Sequence, residues 1–356
     1  MKTAIQKTIK CRLNNLIRCL PAPLTKIFYL GLILMVSACN SPEQKPKIRL
    51  ILDTDFGGDA DDLGALVMLH HFIDNQECEL LAVMSWSLEK YTVSAIDAVN
   101  RYYKHPNIPI GTRKGDTYYA DWNYNKAIAD KLPYEKTYEN VPDATILYRR
   151  LLAESDDKSI VIVTIGPLMN IKNLIESRPD SISPLSGKEL IQKKVKKFVI
   201  MGGQYPEGQK EWNFDGNMPG VTQFVIENLD IPIVFTGYEV GVSIKTGEIF
   251  NSIDKNSPLY IGFMHFSQNA PWMKEYFKGK ILANSTYDQT AVLYAVRGGE
   301  GIYWNNVYGT CLPDEKGGNT WIHSDNGKHS YLKLKVEPTV MAQLIDSLML
   351  GKTHLK

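Results

Sequence analysis

From Ile48 onward, the hydrophobic positions of the chain fall into two alternating patterns. Short unbroken apolar runs, rich in Val and Ile, occur at Ile48–Leu52, Leu80–Met84, Ile160–Ile165, Phe198–Met201 and Ile231–Phe235. They are too short for helices and apolar on both sides, as strands covered on both faces must be. Between them lie stretches that read as helices: Asp62–Phe72, Thr92–Tyr103, Met169–Glu176, Pro219–Asn228 and Asp288–Val296, the last stopped by Gly298-Gly299. Strand followed by helix, repeated, predicts an α/β fold with an open, largely parallel sheet flanked by helices. Near the C-terminus, Tyr331–Val336 alternates apolar residues with Lys and predicts a half-exposed strand.

In such a sheet, ligands sit beyond the carboxyl ends of the strands. The polar segments that follow the apolar runs are therefore the places to look. They are Asp53–Asp62, Ser85–Glu89, Gly166–Asn170, Gly202–Asn217 and Gly237–Glu239.

The first segment holds Asp53, Asp55, Asp59, Asp61 and Asp62 within ten residues. Each like-charged pair at ~4 Å costs about 1 kcal/mol in water and several times more once desolvated. A folded chain keeps such a group at a strand end when a cation shares the site. Hard oxygen donors without nitrogen or sulfur point to calcium or magnesium, and a flexible Gly-containing loop favours calcium. A solvated acidic turn, with Asp59 or Asp61 capping the next helix, is the plainer alternative. An EF-hand starting at Asp53 fails, because its twelfth position is Gly64 and a strand precedes it.

Charge is uneven along the 356 residues. Residues 1–38 carry six basic and no acidic side chains, so the net +1 of the whole chain hides a body with 34 basic against 39 acidic residues. A mildly acidic body gives no reason to expect nucleic-acid binding. The basic stretch runs into an apolar segment too short to span a membrane, ending in Val36-Ser37-Ala38-Cys39. This resembles the lipobox of bacterial lipoproteins, which implies export and a lipid anchor on Cys39; an ordinary cleaved signal is the alternative. We read 1–38 as the signal, 39–46 as a tether and 47–356 as one domain. Cys78 and Cys311 then remain as two thiols, with no spacing for a zinc site. No GxGxxG follows a strand, so a dinucleotide cofactor is not expected.

Four segments, in order, carry a family resemblance. Asp53-Thr-Asp55 followed by Asp61-Asp62 resembles the opening signature of inosine–uridine-type nucleoside hydrolases. Gly166-Pro-Leu-Met-Asn170 is similar to that family's Gly-Pro-Leu-Thr-Asn turn. Met201-Gly-Gly203 with Glu211-Trp-Asn213 resembles its Met-Gly-Gly and Glu-Phe-Asn pair, and Tyr287-Asp-Gln-Thr-Ala291 its His-Asp-x-x-Ala helix start. The resemblance implies a nucleoside hydrolase-like fold and calcium held by Asp55, Asp62, Asp288 and the Ile165 carbonyl. It further implies Asp61 as general base toward a metal-bound water, and Met201, Glu211 and Asn213 around the ribose. The implied ligand is a nucleoside or other riboside, cleaved to ribose and free base through an oxocarbenium-like state. Oligomeric state stays open, a homo-oligomer included.

The chain also departs from that pattern. Its acidic loop is two residues longer and contains the extra Asp59. Ser85 stands where the family usually has Asn beside the base, and the adjacent Trp86 is a candidate stacking residue. No Asn lies between Gly203 and Glu211, and Tyr287 replaces a His that protonates the leaving base in some members. A Tyr hydroxyl, with a pKa near ~10, is a poorer acid at neutral pH. Activation of the leaving base is then expected from stacking by Trp86 or Trp272, or from His265, with a structural role the plainer reading of His265. The segment Tyr260–Lys280, with Tyr260, His265, Trp272 and Tyr276, is a candidate wall over the base. Trp304, Trp321 and Gly317-Gly318 are candidates for the pocket mouth. Two other readings use the same residues: hydrolysis of a different riboside, or calcium-dependent ribose binding without turnover.

Overall fold

The computed structural model describes residues 46–352. The signal-like segment, Cys39 and all but the last tether residue lie outside the described residues. Twelve strands are found there: β1 (Ile48–Thr54), β2 (Cys78–Ser85), β3 (Ile110–Thr112), β4 (Ile160–Ile165), β5 (Val195–Met201) and β6 (Glu207–Gly208) in the first part of the chain. Then come β7 (Ile233–Thr236), β8 (Lys245–Thr246), β9 (Asn284–Ser285), β10 (Trp304–Pro313), β11 (Asn319–His323) and β12 (His329–Leu334).

Ten of them form one sheet, in the order β3-β2-β1-β4-β5-β7-β12-β10-β11-β6. Pairing is parallel from β3 through β12, and antiparallel from β12 to β6. The sheet is therefore mixed but mostly parallel, as the alternating pattern predicts. Strand order reverses between β1 and β4, which opens a crevice at their carboxyl ends.

Side chains alternate between two cores. Leu50 and Leu52 of β1 face one core, while Ile51 faces the other. The first core is closed by α1 (Asp61–Asp74) and α2 (Thr92–Tyr102), and by the C-terminal helices described below. The second core lies under α3 (Ala144–Glu154), α4 (Met169–Glu176) and, after the short α5 (Trp212–Asp215), α6 (Val221–Asn228). Helices α7 (Pro258–Asn269), α8 (Asp288–Arg297) and α9 (Pro338–Met349) complete the first layer.

Helix α8 packs on α1 and across β4 and β5. Gly64 permits this approach: a β-carbon there would lie 2.4 Å from the Gln289 amide and 2.8 Å from the Met349 sulfur. Both helices thus begin at the carboxyl end of the parallel strands, beside β1.

The expected strand at Tyr331–Val336 is β12, shifted two residues toward the N-terminus and placed between β7 and β10. Tyr331 and Leu332 are buried, Lys333 and Lys335 are exposed, and Leu334 and Val336 are half-buried. Among the described residues, no helix is long and apolar enough to cross a membrane. Cys78 and Cys311 are buried free thiols.

Candidate active site

Asp55 follows β1 directly, Asp61 and Asp62 open α1, and Asp288 opens α8. One carboxylate oxygen from each of Asp61, Asp62 and Asp288 lies within 4.8 Å of the others, and all three residues are buried. Asp61 is held by main-chain donors: the N–H of Asp62 at 3.1 Å on one oxygen, and those of Tyr287 and Asp288, each at 3.3 Å, on the other. Asp62 accepts the Thr54 hydroxyl, and Asp59 the Asn284 amide. Asp55 accepts the Trp212 indole N–H at 2.8 Å. Gly166 leaves room beside it, since a β-carbon there would stand 2.7 Å from the Asp55 backbone nitrogen.

Burial first, and the neighbouring carboxylates second, raise Asp61, Asp62 and Asp288 well above the usual carboxylate range. Burial also lifts Asp55 to about 6 against the indole hydrogen bond. Among the described residues, no Lys, Arg or His forms an ion pair with this group. Converging hard oxygens without a protein counter-ion fit a divalent cation such as calcium. Asp53 differs. It accepts the Tyr148 hydroxyl at 2.8 Å and the Asn170 amide at 3.0 Å, and it does not border the cavity described next.

Above the carboxylates is a cavity of about 770 Å³. Ile165, Met201, Glu211 and Asn213 border it together with Asp55, Asp59, Asp61, Asp62 and Asp288. Glu211 caps α5, accepting the N–H groups of Gly203 (2.9 Å), Asn213 (3.1 Å) and Phe214 (3.1 Å), while burial pushes it up to about 7. The Asn213 amide nitrogen is spent on Met201, 3.1 Å from its carbonyl and 3.0 Å from its sulfur. A ligand hydroxyl would therefore meet the Asn213 oxygen, an acceptor. This loop is clasped from below: Asn319 accepts the Gln204 N–H and donates to its carbonyl, both at 2.9 Å, and the Glu211 N–H reaches the Gly317 carbonyl at 3.0 Å.

Much of the remaining wall is aromatic, formed by Trp86, Tyr118, Trp122, Trp212, Tyr238, Trp272 and Tyr287, with polar groups such as Asn123 and Lys210 between them. Trp86 is mostly buried, with the Arg113 guanidinium 4.6 Å from its ring centre. Trp122 and Trp272 meet edge to face at 5.4 Å, and Tyr238 stacks on Tyr287 at 5.5 Å. Burial and the nearby Tyr238 raise the Tyr287 hydroxyl above its ordinary value, making it a still weaker acid.

Several sequence candidates lie elsewhere. Ser85 is fully buried with its hydroxyl on the Ser87 carbonyl, and Ser87 is the serine that reaches the cavity. His265, within α7, meets the Asp121 carbonyl at 3.0 Å and braces the loop after β3; neither it, Tyr260 nor Tyr276 borders the cavity. Trp304 is a core residue, Trp321 packs on Tyr205 and Tyr331, and Gly317 supports the loop rather than the mouth. Conversely, Tyr118, Trp122, Trp212 and Tyr238 are absent from the sequence expectation. Trp212 had a signal in its position between Glu211 and Asn213. The others sit in loops after β3 and β7 that carry no motif.

Residues 50–344 match the family described as inosine-uridine preferring nucleoside hydrolase. No curated protein sequence matches the chain. Among solved structures, a plant nucleoside hydrolase, PpNRh1, is similar at 17% identity and a TM-score of 0.62, over 86% of this chain and 99% of that one. A purine-preferring ribonucleoside hydrolase from Gardnerella vaginalis is similar at 16% identity and a TM-score of 0.62, over 86% of this chain and 100% of that one. The type III effector XopQ, solved with adenosine diphosphate ribose, is similar at 13% identity and a TM-score of 0.60, over 90% of this chain and 96% of that one.

Proposed function

The chain belongs to the inosine-uridine preferring nucleoside hydrolase family, and we propose that it hydrolyses the N-glycosidic bond of ribonucleosides with the help of calcium. The observation that carries this reading is the convergence of Asp61, Asp62 and Asp288 beneath a cavity that Glu211, Asn213 and an aromatic wall also border. Asp55, Asp62, Asp288 and the Ile165 carbonyl would hold the cation. When bound, calcium supplies positive charge that offsets the carboxylates and eases deprotonation of water.

The protein's own groups do the rest. Asp61 takes a proton from water as the water oxygen bonds to the anomeric carbon. The C–N bonding pair leaves with the base, which takes up a proton from solvent, and Asp61 returns the water proton to solvent afterwards. Glu211 and Asn213 accept hydrogen bonds from ribose hydroxyls, and Met201 packs beside the sugar. The buried carboxylates stabilise the positive charge that develops on the ribosyl group. Trp86 and the neighbouring aromatics offer the departing base a flat apolar wall, while Tyr287 donates a hydrogen bond rather than a proton.

A second assignment exchanges two aspartates. It is favoured by the converging group itself, which contains Asp61 and not Asp55. In that version Asp61 helps to hold the cation and Asp55 accepts the proton. Asp55→Asn and Asp61→Asn separate the two: the base variant loses ~10²–10⁴-fold in kcat with calcium affinity kept. The ligand variant loses calcium affinity.

The overall reading is tested by ribose release from purine and pyrimidine nucleosides in calcium and in chelator. Because XopQ was solved with adenosine diphosphate ribose, other ribosides belong in the panel, and release only from them moves the substrate. Binding without release from any riboside replaces the enzyme with a calcium-dependent ribose-binding protein. We further propose the lipid anchor at Cys39. Metabolic palmitate labelling in a bacterial host checks it, and Cys39→Ser should abolish the label.

A further inference from the structure

Trp212 is out of character for its neighbourhood. Glu211, Asn213 and Phe214 around it are buried, yet its own side chain is 50% exposed at the cavity. Its ring touches Trp86 edge to face at 6.4 Å, a contact a Phe could also make. What Phe could not make is the indole hydrogen bond to Asp55, 2.8 Å long and across 157 positions of sequence.

Both ends of that bond are set by the backbone. The Glu211 cap fixes the start of α5, and with it the place from which Trp212 reaches. Asp55 leaves β1 against Gly166, where no β-carbon would fit. With one oxygen engaged by the indole, the rotation of the Asp55 carboxylate is fixed, and so is the oxygen it offers to the cavity. Asp55 has no other side-chain hydrogen-bond donor among the described residues.

We propose that Trp212 is a positioning residue: its indole N–H fixes the Asp55 carboxylate for the cation and, from between Glu211 and Asn213, makes cation and sugar binding mutually dependent. This rests on the reading above in which the carboxylate group holds calcium. Hydrogen-bond partners one step out from a metal set the orientation of its ligands, and losing one costs ~10–100-fold in affinity. Coupling of two ligands through one element is reciprocal, so the same loss must weaken calcium's effect on sugar binding.

The experiment removes the N–H and keeps the shape. Trp212 is replaced by 3-benzothienylalanine, in which sulfur stands for the indole N–H, and, in a second protein, by Phe (Trp212→Phe). Calcium affinity is measured by titration calorimetry, and ribose affinity in calcium and in chelator. We expect calcium binding ~10–100-fold weaker in both variants, with ribose binding less responsive to calcium and the calcium-free melting temperature unchanged in the benzothienyl protein. Wild-type calcium affinity in that protein overturns the inference and leaves the calcium reading standing. So does a loss confined to Trp212→Phe, which would assign the effect to ring size. Absence of calcium binding in the wild type removes the calcium reading, and the inference falls with it.

Discussion

The carboxylate of Asp61 accepts the backbone N–H of Asp288 at 3.3 Å, joining residues 227 positions apart. The bond turns the start of α8 toward the acidic group. A helix start carries only about half a positive charge, too little to balance Asp55, Asp59, Asp61, Asp62 and Asp288 together.

Calcium should therefore stabilise the fold as well as complete the site. A ligand at 100 times its Kd adds ~2.7 kcal/mol, and each kcal/mol moves the melting temperature by roughly 2–4 °C in a domain of this size class. Differential scanning fluorimetry in chelator and in rising calcium checks this. An unchanged melting temperature would argue against a cation at these carboxylates.

The sign of the pH dependence should differ between the two states. Burial pushes Asp53 and Glu211 up to about 7, and raises the clustered aspartates. A carboxyl that holds its proton more tightly when folded contributes stability that is fully present below its unfolded pKa, roughly 4. That contribution is lost as pH rises through the folded value. Calcium-free protein should thus melt at higher temperature near pH 5 than near pH 8. Calcium needs the deprotonated carboxylates, so its stabilisation should grow over the same window. Melting curves at both pH values, with and without calcium, test the crossing.

Asp53 should matter for folding more than for ligands. Its two oxygens are occupied by Tyr148 and Asn170. Tyr148→Phe leaves a buried carboxylate short of one donor and should cost ~1–3 kcal/mol in urea denaturation. Calcium affinity should stay within ~3-fold, since Asp53 does not border the cavity.

Tyr287 should prove dispensable as an acid. Its hydroxyl is raised above the ordinary tyrosine range, so Tyr287→Phe should lower kcat by less than ~10-fold. A loss of 10²-fold or more, the scale of general acid catalysis, would assign it the proton transfer.

The parallel half of the sheet was legible because its strands are buried on both faces and therefore unbroken in hydrophobicity. Met169–Glu176 and Ile160–Ile165 fall where the pattern puts them. The antiparallel half was less so. β12 shows itself in the apolar–Lys alternation of Tyr331–Val336, but β10 reads Trp-Asn-Asn-Val-Tyr-Gly-Thr-Cys-Leu-Pro, with no continuous run and only partial alternation. At the site, the aspartates stood out because so many like charges are costly together. Ser85 misled because its place after β2 suited a ligand contact, whereas its hydroxyl turns back to the Ser87 carbonyl. Tyr118, Trp122 and Tyr238 reach the cavity through loop geometry, which no local spacing encodes.

The clasp of Asn319 on Gln204, with Gly317 on Glu211, has a consequence for the order of synthesis. A ribosome delivers β1 through β7 long before these residues emerge. A nascent chain stopped short of them can build most of the parallel sheet, yet the loop bearing Glu211 and Asn213 has nothing to lean on, and a chain stopped before Asp288 lacks the third carboxylate. The cavity is thus incomplete until Asp288, Gly317 and Asn319 have all been delivered.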